Sequence, residues 1–260
     1  MDWLYTVSGF LVGLIVGVTG VGGGSLMTPL LVLFFGVSPA TAVGTDLLYA
    51  SITKSMGGWV HAVKGSVDWK VVKLLALGSI PAAILTIALL KVLALEEKTL
   101  RSLVTSVLSV ALLATATALL LKDWIKKIAS RDDGTVYEIH HRYLPAATVI
   151  TGVVVGALVT ISSIGAGVLG TVAILFLYPR LPAVKVVGTD IVHAVPLTAV
   201  AGMGHMALGT VDFVLLGSLL LGSLPGIYIG SHLSAKVPEK VLRPLLATML
   251  LIIGTKMVFY

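Results

Sequence analysis

Apolar segments follow one another from one end of the chain to the other, and little else lies between them. They run from Leu4 to Thr19, Leu26 to Phe35, Ser38 to Val63, Val71 to Leu93, Leu100 to Leu121, Leu144 to Ile161, Val168 to Tyr178, Pro182 to Leu208, Val211 to His232 and Val241 to Phe259. A helix needs about 20 apolar residues to cross a bilayer, so the second and seventh are too short to span, while the others approach or exceed that length. With 57% hydrophobic and 12% charged residues, polar surface is too scarce to cover a water-soluble fold. The pattern predicts an all-α polytopic membrane protein whose solvent is the lipid bilayer, with no room for an aqueous domain. Met1 to Phe10 has no basic residue ahead of its apolar run and reads as the start of the first span, not a removable signal. The net charge of +6 fits basic loops against lipid headgroups, and no nucleic-acid partner is expected. With no cysteine, disulfides, thiolate metal sites and cysteine nucleophiles are excluded.

Both short segments follow a glycine-bearing break, at Gly20 to Gly24 inside GVTGVGGGSLMTP and at Gly165 to Gly170. Each broken region is either one kinked span or a hairpin of two helices or half-helices. Lys and Arg collect in cytoplasmic loops, which separates the two. The hairpin reading puts thirteen basic residues on one side and four on the other, with both termini outside, whereas the single-span reading divides them nine to eight.

A comparison of the chain with itself at an offset of 144 residues finds a repeat. Val43-Gly44-Thr45-Asp46 recurs as Val187-Gly188-Thr189-Asp190, and Ala50, Gly58, His61 and Gly65 recur as Ala194, Gly202, His205 and Gly209. Val67-Asp68, Gly78-Ser79 and Pro81 match Val211-Asp212, Gly222-Ser223 and Pro225. Matches in Asp, His, Gly and Pro mark an internal duplication. Each half holds about five helical elements, and an odd unit repeated in tandem gives two inverted repeats, each opening with a glycine-broken hairpin or half-helix. The expected division is a first transmembrane repeat over 1–121, a cytoplasmic linker over 122–142 and a second repeat over 143–260.

The pattern GVTGVGGGSLMTPLL, then AVGTD, then a His shortly before Gly-x-Val-Asp, repeated in weaker form, resembles the sulfite exporter TauE/SafE family of bacterial and archaeal inner-membrane proteins. The resemblance covers nearly the whole chain. It implies a cell-membrane transporter of small sulfur-containing or organic anions, such as sulfite or sulfoacetate, and no cofactor. The second copy departs from the glycine-rich pattern: Ser163-Ile-Gly-Ala-Gly-Val-Leu-Gly has fewer glycines, and Ala173 stands where Pro29 stands in the first.

Irregular backbone at membrane depth survives only where it is buried in protein or lines a wet cavity. Gly22, Gly23 and Gly24 break the first region, and Ser25 can cap the half-helix that follows; Gly165 and Gly167 break the second. A half-helix N-terminus offers free amides and partial positive charge to an anion, although the same glycines would also serve close helix packing. The helix opened by Ser38-Pro39 carries Asp46, Lys54 and His61, and its counterpart carries Asp190, His193 and His205. Ionisable groups at this depth are costly and mark functional candidates. Lys54, roughly 5 Å from the middle of its helix, cannot snorkel to either surface. It either pairs with Asp190 or supplies positive charge to a substrate. Thr45, Thr189, Asp46 and Asp190 are candidates for the substrate site, the carboxylates being equally placed for capping or proton handling. His61 and His205 either cap carbonyls or form pH-sensitive gates with the carboxylates. His140 and His141 read as solvated surface, with no metal site.

The expected activity is export of an anion held near the membrane middle between the two breaks, by alternating access. An inside-negative potential favours this by about 2.3 kcal/mol per charge per 100 mV. The alternative is a proton- or cation-coupled transporter using Asp46 and Asp190. An enzyme with Ser25 as nucleophile is not expected, because no base is placed for it. Self-association is left open.

Overall fold

The computed structural model describes residues 3–19, 24–93, 96–129, 135–233 and 239–259. These form ten helices and no strand: α1 (Trp3–Thr19), α2 (Gly24–Phe35), α3 (Pro39–Val63), α4 (Trp69–Leu93), α5 (Glu97–Ala129), α6 (Thr135–Ser162), α7 (Val168–Leu177), α8 (Ala183–Ala207), α9 (Phe213–Leu233) and α10 (Glu239–Val258). Five described helical stretches, in α4, α5, α6, α8 and α9, are long and apolar enough to cross a membrane. The ten-residue α7 is too short, at about 15 Å. The chain is therefore a helical protein of several membrane spans.

Local signals explain the boundaries. Ser38 caps α3 by accepting the Thr41 amide at 3.2 Å, with Pro39 in the first position, where its missing amide costs nothing. Gly36, Gly65 and Gly209 close helices with φ of +64°, +64° and +72°, a region that disfavours residues with a Cβ. The predicted linker is more helical than a loop. No Gly or Pro follows Lys122 before α5 ends at Ala129, and His140 and His141 lie within α6 rather than in a polar loop. Asp132, Asp133 and Gly134 lie outside the described residues.

Burial runs opposite to that of a soluble protein. Large apolar side chains such as Leu85, Val92, Phe213 and Tyr228 are exposed around the outside, as a lipid-facing surface requires, while Asp46, Lys54, Asp190, His193 and His205 are buried. Helices approach through small residues. Gly9 and Gly13 of α1 lie on the backbone of Leu219 and Ser223, and Gly222, Gly226 and Gly230 of α9 lie on Thr6, Phe10 and Leu14. The pair of α4 and α6 repeats this with Gly78, Gly152 and Gly156. No side chain fits between such backbones, which is how helices gain contact where lipid removes the hydrophobic drive.

The first helix of each sequence half thus packs on the fourth helix of the other. At the centre α3 and α8 are antiparallel neighbours: Gly44 lies against His205, Leu48 against Gly202, Ser51 against Val195 and Gly58 against Val192. The apolar core follows the same interlacing, since one cluster joins Val12, Leu31, Leu108, Ile164, Leu219 and Leu250 from both halves.

Candidate functional site

The best-matched residues of the repeat form two clasps across the α3 and α8 seam. The Asp68 amide donates to Thr189 Oγ1 at 2.9 Å, and the Asp212 amide donates to Thr45 Oγ1 at 3.1 Å. Each aspartate then caps the helix it precedes: Asp68 Oδ1 accepts the amides of Lys70 and Val71, and Asp212 Oδ1 those of Val214 and Leu215. Gly188 leaves room for the Ser66 carbonyl and the His61 ring, and Gly44 for the Thr210 carbonyl and His205. His61 Nδ1 lies 2.8 Å from Ser66 Oγ, and His205 Nδ1 2.8 Å from Thr210 Oγ1. His205 Nε2 also donates to the Thr160 carbonyl at 2.8 Å. The hydroxyls of Thr45 and Thr189 and the two histidines are thus engaged in holding loops onto helices, and among the described residues neither histidine bonds a carboxylate.

Asp46 and Asp190, the next residues along, turn toward the breaks. Thr28 Oγ1 of α2 donates to Asp46 Oδ2 at 2.5 Å, and Ser163 Oγ donates to the same oxygen at 2.9 Å. Thr171 Oγ1 of α7 donates to Asp190 Oδ2 at 3.0 Å. Thr28 and Thr171 are 143 residues apart, one short of the offset in the flanking helices. In that register Gly24 corresponds to Gly167, each standing where its short helix begins. In both carboxylates Oδ1 is buried without a hydrogen-bond partner.

The second break is fully buried from Ser162 to Ala166. Ser163 takes φ of +58°, unusual outside glycine, and Gly165 and Gly167 take +120° and +150°. Ser162 Oγ accepts the Ile164 amide at 3.2 Å, and the amides of Gly170 and Thr171 close on the carbonyls of Gly165 and Gly167. These bonds and the Lys54 contact to Ala166 meet several of the backbone groups freed by the break within the protein, as hydrocarbon surroundings demand. Gly170 lies directly against Asp190 Oδ1. The positive end of α7 therefore already faces a carboxylate of the chain itself. Gly22 and Gly23 of the first break, and the side chain of Ser25, lie outside the described residues.

Lys54 connects the two halves. Its Nζ donates to the Ala166 carbonyl inside the second break. Asp190 first and Asp46 second act on its charge, yet among the described residues it forms no ion pair with either. His193 also lies near it; its Nε2 is 2.8 Å from Ser79 Oγ of α4. The result is a buried group of one cation and two carboxylates with spare oxygens, at the meeting of α3, α8 and a helix break. Thr28, Ser163, Thr171 and Ser79 belong to it although the sequence did not mark them, because serines and threonines at membrane depth usually bond their own helix, as Thr53 and Thr198 do.

Comparison with known proteins identifies the family of the chain. The model of the sulfite exporter TauE/SafE family matches residues 5–257. The chain is similar to the probable membrane transporter protein YjnA of Bacillus subtilis, with 37% identity over 96% of this chain and 97% of that one. It is also similar to the probable membrane transporter protein YdhB of the same organism, at 27% identity over 90% and 91% of the two chains. A probable membrane transporter protein of Methanocaldococcus jannaschii is 24% identical over 96% and 93%. No solved structure matches the chain. With these relatives all named as probable membrane transporter proteins and the family model matched along nearly its whole length, the chain belongs to the sulfite exporter TauE/SafE family.

Proposed function

We propose that the protein carries small sulfur-containing anions, sulfite or an organosulfonate such as sulfoacetate, outward across the cell membrane. The observation that carries this reading is Lys54, an ammonium buried in a membrane helix and bonded to a carbonyl of the broken segment instead of closing an ion pair. A buried cation held by a neutral acceptor keeps its charge available. An anion arriving at the second break takes Lys54 as its counter-charge, and Asp190, beside it, becomes its competitor. Val168 and Leu169, whose amides begin α7, supply the positive end of the helix dipole. Asp46, Thr28, Ser163 and His193 surround this group, with Thr45 and Thr189 setting the position of the carboxylates.

The two halves act as inverted repeats related through the antiparallel α3 and α8, with 122–142 joining them and both termini outside. Correspondence of contacts supports this: α1 on α9 matches α6 on α4, and each Thr-to-amide clasp has its partner. Because the halves interlace, alternating access is a sliding of the α3 and α8 seam with the packed pairs moving as bodies, and not one sequence half rocking on the other. A second reading, carriage of a proton or cation by Asp46 and Asp190, has in its favour the unpartnered Oδ1 of each.

The test is flux from liposomes loaded with sulfite, sulfoacetate, thiosulfate, sulfate or chloride, with and without an imposed potential. Sulfite or sulfoacetate efflux that rises with an inside-negative potential and disappears in Lys54→Met supports the proposal. Absence of anion flux under every condition overturns it, and cation flux indifferent to sulfite installs the second reading.

A further inference from the structure

The two ends of the α3 and α8 seam differ although the sequence repeat relates them. At one end a groove of about 350 Å³ opens between α3, α4 and α8, with Ser55, Gly58, Trp59, Trp69, Val192 and Pro196 in its walls. It follows α3 from Ser55 to Ala62, about 10 Å. Residue size explains it. In the other half Leu48 fills the space beside Gly202, its Cδ2 only 2.6 Å from where a Cβ of that glycine would stand. The counterpart of Leu48 is the shorter Val192, whose Cγ2 stays 3.6 Å from the same point at Gly58. The Ser55 hydroxyl is spent on the Ser51 carbonyl of its own helix at 2.7 Å, and the rest of the lining is apolar or aromatic. Such walls suit hydrocarbon. Trp59 and Trp69 are 69% and 52% exposed, as tryptophans at the headgroup level are.

Positive charge gathers at the same end. Lys73 lies one turn beyond Trp69 on the same face of α4, and Lys185 lies two turns before Val192 on the same face of α8. The end of α8 that carries Lys185 is the one at the α3 to α4 turn, because Gly188 packs on the Ser66 carbonyl. Lys64 and Lys70 flank that turn, and Asp68, the only carboxylate in 64–73, is spent on capping α4. All four lysines are exposed. Their counterparts in the repeat are Leu208, Val214, Gly217 and Thr41, none of them charged. At one end, then, groove and lysines occur together; at the other, Leu48 fills the space and the matching positions are neutral.

We infer that this groove binds an anionic phospholipid, one acyl chain lying between α3, α4 and α8 and the headgroup held by Lys73 and Lys185. The stems of both lysines run along apolar surface and carry the ammonium groups to the headgroup level. A lipid of net negative charge matches the walls and the lysines, whereas a zwitterionic lipid matches the walls alone. The site rests on the fold and not on which solute is carried. The bound lipid ties α4 to α8 across the close of α3, so it steadies one end of the seam and not the other.

The test uses the purified full chain in detergent with Trp3→Phe and Trp124→Phe, two exposed tryptophans outside the groove, so that emission comes from Trp59 and Trp69. Phosphatidylglycerol or phosphatidylcholine with brominated acyl chains is titrated in, because bromine quenches tryptophan on contact. The expected result is saturable quenching in which phosphatidylglycerol binds about 25-fold more tightly, about five-fold for each lysine. Lys73→Gln and Lys185→Gln each remove about five-fold, and together they abolish the preference. Gly58→Leu fills the groove as Leu48 does in the other half and removes the saturable quenching by both lipids. The lysine variants change exposed side chains and keep the fold, so they decide the outcome should Gly58→Leu not fold. Equal quenching by the two lipids, or a preference that survives in the double lysine variant, overturns the anionic lipid. Saturable quenching that persists in folded Gly58→Leu overturns the groove as its place. Absence of saturable quenching together with a dimer's mass in sedimentation overturns the lipid in favour of a second copy of the chain.

Discussion

Gly188 and Gly44 test the two clasps and their equivalence together. A Cβ at Gly188 would lie on the Ser66 carbonyl oxygen, inside the 3.0 Å that real Cβ contacts respect, and 2.9 Å from His61 Nδ1. A Cβ at Gly44 would lie on the Thr210 carbonyl oxygen and 3.0 Å from His205 Cβ. In both cases the first obstacle is backbone held in place: two residues past the Ser66 or Thr210 carbonyl, the Asp68 or Asp212 amide is fixed to a threonine of the opposite half. The loop must move, and overpacking of this kind costs about 1 to 3 kcal/mol. Gly217 in α9 provides the control, because a Cβ there meets nothing within 4 Å. Gly217→Ala should gain roughly 0.5 to 1 kcal/mol from helix preference and a less flexible unfolded chain. Gly188 and Gly44 are helical as well and share that gain, so the expected separation between Gly188→Ala and Gly217→Ala is the overpacking cost of about 1 to 3 kcal/mol, with Gly44→Ala grouped with Gly188→Ala. Reversible unfolding in mixed micelles, followed by helical circular dichroism, measures all three. Gly188→Ala as stable as the parent would refute the packing argument. A large cost at one clasp and none at the other would refute their equivalence.

Lys54→Met should destabilise by about 3 to 5 kcal/mol if its charge mainly offsets Asp190, and adding Asp190→Asn should then restore most of that; additive losses would show that the two are independent. Ser163→Ala loses the bond to Asp46 and keeps a strained φ, whereas Ser163→Gly relieves the strain, so the glycine variant should be the more stable by about 1 kcal/mol. The reverse order in thermal unfolding would remove the strain argument. Thr189→Val leaves the Asp68 amide without its acceptor and should cost about 1 to 3 kcal/mol, with faster hydrogen exchange at Asp68 as its local sign. Unchanged exchange there would count against the clasp.

The helices were largely legible in the sequence because hydropathy and capping are local: Ser38-Pro39 opens α3, and the short segment after the second break is α7. The duplication was legible as well, but its strongest matches are mainly structural. Thr45 and Thr189 bond amides 167 and 121 residues away, distances at which spacing says nothing about contact. The polar shell around the carboxylates was hidden for two reasons. Thr28 and Thr171 depart from the common offset by one residue, and His193, bonded to Ser79, stands where the first half has Tyr49, an unlike residue type. Lys54 stood out because an ammonium far from both helix ends has few explanations, yet its contact with the Ala166 carbonyl depends on how the break is folded.

The interlacing of α1 with α9 also governs the order in which the protein can be made. The glycine face of α1 has its partner backbone 210 residues downstream, from Gly9 to Leu219 and from Gly13 to Ser223. At a synthesis rate of about 5 to 20 residues per second, that partner emerges roughly 10 to 40 s later. Throughout that interval the first helix sits in the bilayer with an unfilled groove, open to any other small-residue helix in the same membrane. The partners α4 and α6 are both synthesised well before α9, so the middle of the chain can pair while the N-terminal helix still waits for its partner.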